Sequence, residues 1–286
     1  MIALGAPPQG VGIGLRPELV SDLLARPEVA DFVEVVAESC FADPNARRQA
    51  RALAEIWPVV PHGVKLSLGS AEGIDLTHAR RLGALARELR APVITEHIAL
   101  TSAGGREIGH LTAVPFTRAA VRAVARNVAA ARRVLPDVPL LLENIAWTFR
   151  FPEDEMDEGD FYAEVLEATG CELLLDVANL YANALNAGCA PDALLQRYPL
   201  ERVGMFHVAG GTLEDGFWAD THAHAVPPAV FALVSRGLVR TGPVPIILER
   251  DASFPEFDEL VCELATLRTL VAEVASEVAS EGVRSS

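Results

Sequence analysis

The chain has 286 residues, half of them hydrophobic and 22% charged, with 24 basic against 39 acidic side chains and a formal charge of -15. That length suits one large domain of the α/β-barrel kind, the apolar share rules out a disordered chain, and the acidic balance argues against nucleic acid and anionic membranes as partners. Four scattered cysteines without a C-x-x-C pair indicate neither a disulfide framework nor a zinc ribbon, so a reducing, cytoplasmic location is expected.

In chain order, short runs rich in Val, Ile and Leu alternate with longer helical patterns. The opening MIALGAPPQGVGIGL has no charged segment leading an apolar one, and it contains the first strand, VGIGL (11–15), followed by a helix at about 17–26. FVEVVA (32–37) precedes a helix at 44–57, VVPHGVKLSL (59–68) one at 75–90, and PVITEHI (92–98) one at 115–135. PLLLEN (139–144) comes next, then the acidic run EDEMDEGD (153–160), read as a solvated loop opening a helix at 159–169. ELLLDV (172–177) leads to a helix at 179–197, RVGMFHV (202–208) to one at 226–237, and VPIILE (244–249) to a last one at 254–278. Strands that are continuously apolar are buried on both faces, as parallel strands are, so eight strand–helix repeats predict a closed (β/α)8 TIM barrel over residues 1–280 with a frayed tail at 281–286. The alternative, an open doubly wound sheet, lacks its glycine-rich signature beyond a weak GVGIG.

Barrel enzymes build their sites at the C-terminal ends of the strands. Those ends carry Glu38, His62, the pair Glu96 and His97, the pair Glu143 and Asn144, Asp176 with Asn179, His207, and Glu249. The stretch ADTHAHAV adds Asp220, His222 and His224 at a spacing of two, which in an extended chain faces all three the same way. Taken singly, His62 or His207 reads as a hydrogen-bonded structural residue, Asp176 as a helix cap, Glu249 as a structural carboxylate, and Glu34 as pointing between barrel and helices. His78, in a helix, and His110, in a loop, read as structural or surface residues. Taken as a set, so many carboxylates at a barrel mouth are costly without a cation. His, Asp, Glu and Asn without cysteine suit iron, manganese or zinc, and more donors than one ion takes imply two or three ions, with Glu143 or Glu249 bridging.

These residues sit in phrases that resemble the multinuclear non-heme iron-dependent oxidative enzymes, long catalogued as a domain of unknown function with a xylose-isomerase-like barrel. The phrases are GIGLRPEL (12–19), VEVVAES (33–39), PHGVKLSLGS (61–70), TEHIAL (95–100), LLENI (141–145), LLDVANLYANA (174–184), FHVAGG (206–211), DTHAH (220–224) and LERDASFPEFDEL (248–260), which together cover nearly the whole chain. The resemblance implies two or three irons, mixed valence among them, and oxidation of a ribosomally made precursor peptide by dioxygen, commonly at cysteine. It implies His62, His97, Glu143, Asp176, Asn179, His207, Asp220, His222 and Glu249 as ligands, and a small partner protein that presents the leader peptide. Ala178, Gly211, Cys40 and Arg250 depart from the family pattern, which puts the substrate pocket rather than the metal set in question.

Around those ligands the expected catalytic groups are Glu96, His224 and Asp251, and the expected substrate contacts Glu38, Asn144 and Arg250. Since adjacent strand residues face opposite ways, one of each pair Glu96/His97 and Glu143/Asn144 is open to facing the helices instead. Two rival readings stay open: a zinc or manganese isomerase or hydrolase without oxygen chemistry, and a catalytically silent peptide-binding scaffold.

Overall fold

A computed structural model describes residues 8–284. Its strands are β1 (Val11–Gly14), β2 (Val33–Val36), β3 (Val59–Gly63), β4 (Ile94–His97), β5 (Leu100–Ala103), β6 (Arg106–Thr112), β7 (Leu140–Glu143), β8 (Glu172–Asp176), β9 (Val203–Val208), β10 (Gly210–Glu214), β11 (Phe217–His224) and β12 (Ile246–Leu248). Eight of them close a barrel in the order β1-β12-β9-β8-β7-β4-β3-β2, and every neighbouring pair is parallel. These are the eight strands the apolar runs predict, and the xylose-isomerase-like barrel stands.

The helices are α1 (Val20–Ala25), α2 (Ala37–Ala42), α3 (Pro44–Leu53), α4 (Leu76–Glu88), α5 (Arg118–Arg132), α6 (Glu158–Thr169), α7 (Val177–Asn186), α8 (Pro191–Leu195), α9 (Pro228–Thr241) and α10 (Phe257–Arg284). Side chains take orphan backbone N–H groups at several of their starts: Asp75 caps α4, Thr117 caps α5 and Asp157 caps α6. The helix expected over 179–197 is two, because Gly188 at φ +67° and Pro191 interrupt it. The tail expected to fray continues α10 to Arg284, and residues 285–286 lie outside the described ones. Among the described residues no helix is long and apolar enough to cross a membrane.

Two hairpins stand on the barrel that the apolar pattern does not predict, β5–β6 and β10–β11. Their turns are Gly104-Gly105 and Asp215-Gly216, all four at positive φ, as tight two-residue hairpin turns require. His110 therefore lies in strand β6 and not in a loop.

Inside the barrel, the period of two along each strand separates two layers. The lower layer is apolar: Phe32, Val60, Val93, Leu141, Leu174, Met205 and Ile247 form a cluster of their own. Two residues further along the same strands come Glu34, His62, Thr95, Glu143, Asp176, His207 and Glu249, all buried. Strand β1 supplies only glycine to both layers. A Cβ on Gly12 would meet the Phe32 ring at 2.7 Å, so the aromatic ring fills that strand's share of the floor. The opposite face of each strand packs against the helices in the main hydrophobic cluster.

Candidate metal centre

The polar layer lies at the bottom of a cavity of about 290 Å³ at the C-terminal mouth of the barrel. Arg16, Val36, His62, Val64, His97, Leu111, Glu143, Ile145, Ala146, Asn179, Asp220, His222, Glu249 and Asp251 line it. Asp176 and His207 lie just beneath, fully buried.

The histidines are held from below. His97 Nδ1 donates to the Gly63 carbonyl at 3.2 Å, which leaves Nε2 facing Glu143 Oε2 at 3.3 Å. His62 Nδ1 meets Thr95 Oγ1 at 2.9 Å, and its Nε2 lies 3.6 Å from the same Glu143 oxygen. His207 Nε2 meets Glu34 Oε2 at 3.2 Å, and its Nδ1 lies 3.3 Å from Glu143 Oε1 and 3.0 Å from Glu249 Oε2. One ring nitrogen of each is engaged and the other is presented upward, as in metal-binding histidines.

The upward atoms lack hydrogen bonds. Glu143 Oε2, Asp176 Oδ2, Asn179 Oδ1, His207 Nδ1, Asp220 Oδ1 and His222 Nε2 are buried without a hydrogen-bond partner, although several lie within 4 Å of one another. Orphaned buried polar atoms are rare and each costs about 1–3 kcal/mol. Ligand-type atoms gathered within 4.8 Å of one another, several of them making no hydrogen bond, fit cations. Geometry divides them into three overlapping groups: His62, His97 and Glu143; Glu143, Asp176, His207 and Glu249; and His222, Glu249 and Asp251. Glu143 belongs to the first two and Glu249 to the last two, so these carboxylates occupy the bridging places.

Electrostatics tell the same story. Burial and the neighbouring Asp220 push the Asp176 carboxyl well above its usual range. Burial also works against ionisation of Glu143, but the imidazoles of His97 and His207 bring it down to about 2. His207 is opposed by burial too, yet Glu34, Glu249 and Glu143 hold its imidazolium well above the ordinary value. Among the described residues lining the cavity, only Arg16 is permanently cationic, with Nη2 2.5 Å from Asp251 Oδ1 and 3.5 Å from Glu249 Oε1.

Asp176 does both things open to it: Oδ1 caps α7 by accepting from the Asn179 N–H at 2.7 Å, while Oδ2 faces the cavity. Asp251 is brought in beside His222 and Arg16, its Oδ2 3.6 Å from His222 Nδ1. His224 is not. His222 sits at φ +49°, which breaks the extended repeat, so His224 swings out to an exposed position against Thr221 Oγ1.

Four further residues lie outside the cavity, because each is one residue from an inward-facing position or beyond the strand. Glu96 faces the helices, where its carboxylate accepts from the Leu66 and His97 N–H groups. Asn144 spends its amide on β8, accepting from the Asp176 N–H and donating to the Asp176 carbonyl. Arg250 points toward α10 and pairs with Glu263 at 3.2 Å. Glu38 accepts from the Val64 N–H and pairs with His78 at 2.7 Å, which gives that histidine its structural role. Cys40 is buried, and burial pushes its thiol up to about 11.

Conversely, Glu34 points into the barrel rather than toward the helices, and Thr95 and Arg16 join the site although the strand-end pattern does not pick them out. The run at 153–160 is not simply solvated either: Glu158 is buried, accepting from Trp147, Asn183 and Tyr198.

Comparison with known proteins agrees. The fold matches a xylose isomerase domain protein from Planctomyces limnophilus at a TM-score of 0.63 and 15% identity, covering 94% of this chain and 100% of that one. Endonuclease IV from Thermus thermophilus matches at 0.56 and 18% identity, covering 93% and 100%. At such identities the likeness concerns the fold alone. A UPF0276 protein of Streptomyces avermitilis is 43% identical over 266 residues, 91% of this chain and 54% of the relative, so the chain spans about half of that protein. UPF0276 proteins of Caulobacter vibrioides and Chromobacterium violaceum are 39% and 38% identical, each covered over 94% of its length, with 92% and 91% of this chain aligned. The model of the RiPP precursor modification enzyme MbnB/TglH/ChrH family, whose name refers to ribosomally synthesised and post-translationally modified peptides, matches residues 10–272. With its barrel and its converging histidines and carboxylates, this chain belongs to that family of peptide-modifying enzymes.

Proposed function

We propose that the chain is an iron- and oxygen-dependent enzyme that oxidises a ribosomally synthesised precursor peptide at cysteine. The observation that carries this reading is the set of buried donor atoms without hydrogen bonds converging on one cavity, in a family whose members modify precursor peptides. The three overlapping groups would hold two or three irons, of mixed valence, with Asn179 and Asp220 completing the donor set. Nitrogen and oxygen donors without thiolate are compatible with iron. Bound iron would supply the redox chemistry that dioxygen activation needs and that no side chain here possesses.

The chain's own contribution is shape and orientation. Val36, Val64, Leu111, Ile145 and Ala146 give the cavity an apolar wall, which excludes water from the reacting side chain. About 290 Å³ admits an amino-acid side chain, not a folded partner. The leader segment is therefore held elsewhere, in this proposal by a small partner protein. Arg16, tethered by Asp251, sets a fixed positive charge in the wall, suited to orienting a peptide carbonyl. Four unpaired cysteines, two of them exposed, support a reducing cytoplasmic setting.

The test is elemental analysis with Mössbauer spectroscopy on anaerobically purified protein, followed by oxygen uptake with a precursor peptide and its Cys→Ser variant. Two or three irons per chain, with uptake only for the cysteine peptide, is the expected result. Stoichiometric zinc or manganese, with no iron gained on reconstitution, would establish the isomerase or hydrolase instead. A metal-free chain that still binds peptide would establish the scaffold.

A further inference from the structure

Glu34 is the one carboxylate of the polar layer that belongs to none of the three donor groups. It sits two residues after Phe32, is 1% exposed, pairs in register with Val60 two residues before His62, and is not among the residues lining the cavity. One oxygen does all its bonding: Oε2 is 3.2 Å from His207 Nε2 and 3.3 Å from Thr95 Oγ1, while Oε1 has no partner. Thr95 Oγ1 in turn lies 2.9 Å from His62 Nδ1.

The proton positions follow from what each group can do. His207 Nε2 makes a hydrogen bond, to the Glu34 carboxylate, which only accepts, whereas Nδ1 makes none with Glu143 or Glu249 beside it, so a cation that takes the Nδ1 lone pair leaves the ring proton on Nε2. The single Thr95 proton goes to Glu34, so the hydroxyl oxygen must accept from His62 Nδ1–H, which leaves His62 Nε2 free. His62 and His207 belong to different donor groups, the first and the second. Both tautomers therefore trace back to one oxygen atom.

We propose that Glu34 is a positioning residue which, directly for His207 and through Thr95 for His62, fixes the ligating face of two rings and so sets two adjacent ion positions together. Burying a carboxylate with one orphan oxygen directly above an apolar floor costs stability, and an aliphatic residue would continue that floor without the cost. Its place is explained by what it does to the rings. This inference rests on the reading of the cavity as a multinuclear centre.

The experiment compares full-length wild type with Glu34→Leu, Glu34→Gln, Thr95→Val and Thr95→Ser by anaerobic iron(II) titration against a competing chelator, with Mössbauer spectra of the loaded proteins. Glu34→Leu is expected to weaken binding by about 10–100-fold and to change the signals of two ions, whereas Glu34→Gln, whose carbonyl can take both hydrogen bonds, restores most of it. Thr95→Val is expected to disturb one ion only, and Thr95→Ser to return it to the wild-type signal. Wild-type binding and spectra in Glu34→Leu would overturn the proposal. If that variant does not fold, unchanged binding in the isosteric Thr95→Val overturns it equally. Absence of bound metal in the wild type would remove the multinuclear reading itself and this inference with it, an outcome distinct from a loaded wild type with indifferent variants.

Discussion

His97 Nε2 and Glu143 Oε2 lie 3.3 Å apart, and that carboxylate oxygen accepts no hydrogen bond. The two atoms belong to one group of donors within 4.8 Å of one another, and Glu143 serves a second group as well. Glu143→Ala should therefore lower the metal content per chain more than His97→Ala, which deletes a donor of one group only. Elemental analysis of the two variants beside wild type reads this directly. Equal losses would show that Glu143 is not shared.

His222 and His224 are two residues apart, yet only the first lines the cavity. His222→Ala should release an ion, leaving the ions of His62 and His207 in place. His224→Ala should keep wild-type metal content, since it loses only a surface hydrogen bond to Thr221. Metal analysis on both variants distinguishes this from the extended-strand geometry, in which both would matter.

Arg250 is a test of strand alternation. It is 3% exposed and paired with Glu263 on the helix side, so Arg250→Met leaves the partly buried Glu263 carboxylate with the Val226 N–H as its partner. Losing one charge-assisted hydrogen bond of this kind costs about 1.5–3 kcal/mol, and the loss should appear as a lower denaturation midpoint. Metal content should stay unchanged. A variant with normal stability but poor peptide binding would return Arg250 to the substrate role.

Glu158, which is not among the residues lining the cavity, gives a pH dependence of its own. Burial raises its carboxyl, against the hydrogen bonds from Tyr198, Trp147 and Asn183. The folded state thus holds this proton more tightly than the unfolded state. Its contribution to stability is complete below the unfolded value of about 4.3, and is lost as pH rises through the raised folded value. Wild type should gain stability relative to Glu158→Gln as pH falls through that window. Urea midpoints for both proteins at pH 5 and pH 8 measure the difference in slope, and parallel slopes would refute it.

The barrel was legible because continuous apolar runs are the signature of strands buried on both faces. VGIGL, PLLLEN and VPIILE each became a barrel strand, with ends shifted by a residue or two. The hairpins escaped a reading tuned to apolar runs, since β6 and β11 are mostly exposed or half-buried, although Gly104-Gly105 and Asp215-Gly216 carried the signal. In the site, the strand-end positions His62, His97, Glu143 and Glu249 converge because position along a strand is enough to choose the mouth. Facing is a finer matter. Glu96, Asn144 and Arg250 lie on the helix side because each neighbours an inward residue, and counting by two from the apolar layer separates them. The same count from Phe32 and Val93 finds Glu34 and Thr95, which sit one step deeper than strand ends. No such rule reaches His224, whose direction depends on a left-handed backbone at His222.

The two stacked layers inside the barrel also constrain how the gene can change. Floor and donor alternate along single strands, so deleting one residue within β3 or β7 would slide a neighbouring side chain into the place of His62 or Glu143 and send the donor outward among the helices. Length variation inside the barrel strands is thus nearly lethal to both folding and loading. The β5–β6 hairpin carries no donor and so no such phase, and Leu111 of β6 already reaches the cavity wall. Insertions and deletions at Gly104-Gly105 can reshape the rim while the donors keep their register, whereas Asp215-Gly216 sets the pairing of β11, which carries Asp220 and His222. New peptide preferences can therefore arise by remodelling the Gly104-Gly105 turn, on a barrel whose interior tolerates exchange of side chains but not a change of count.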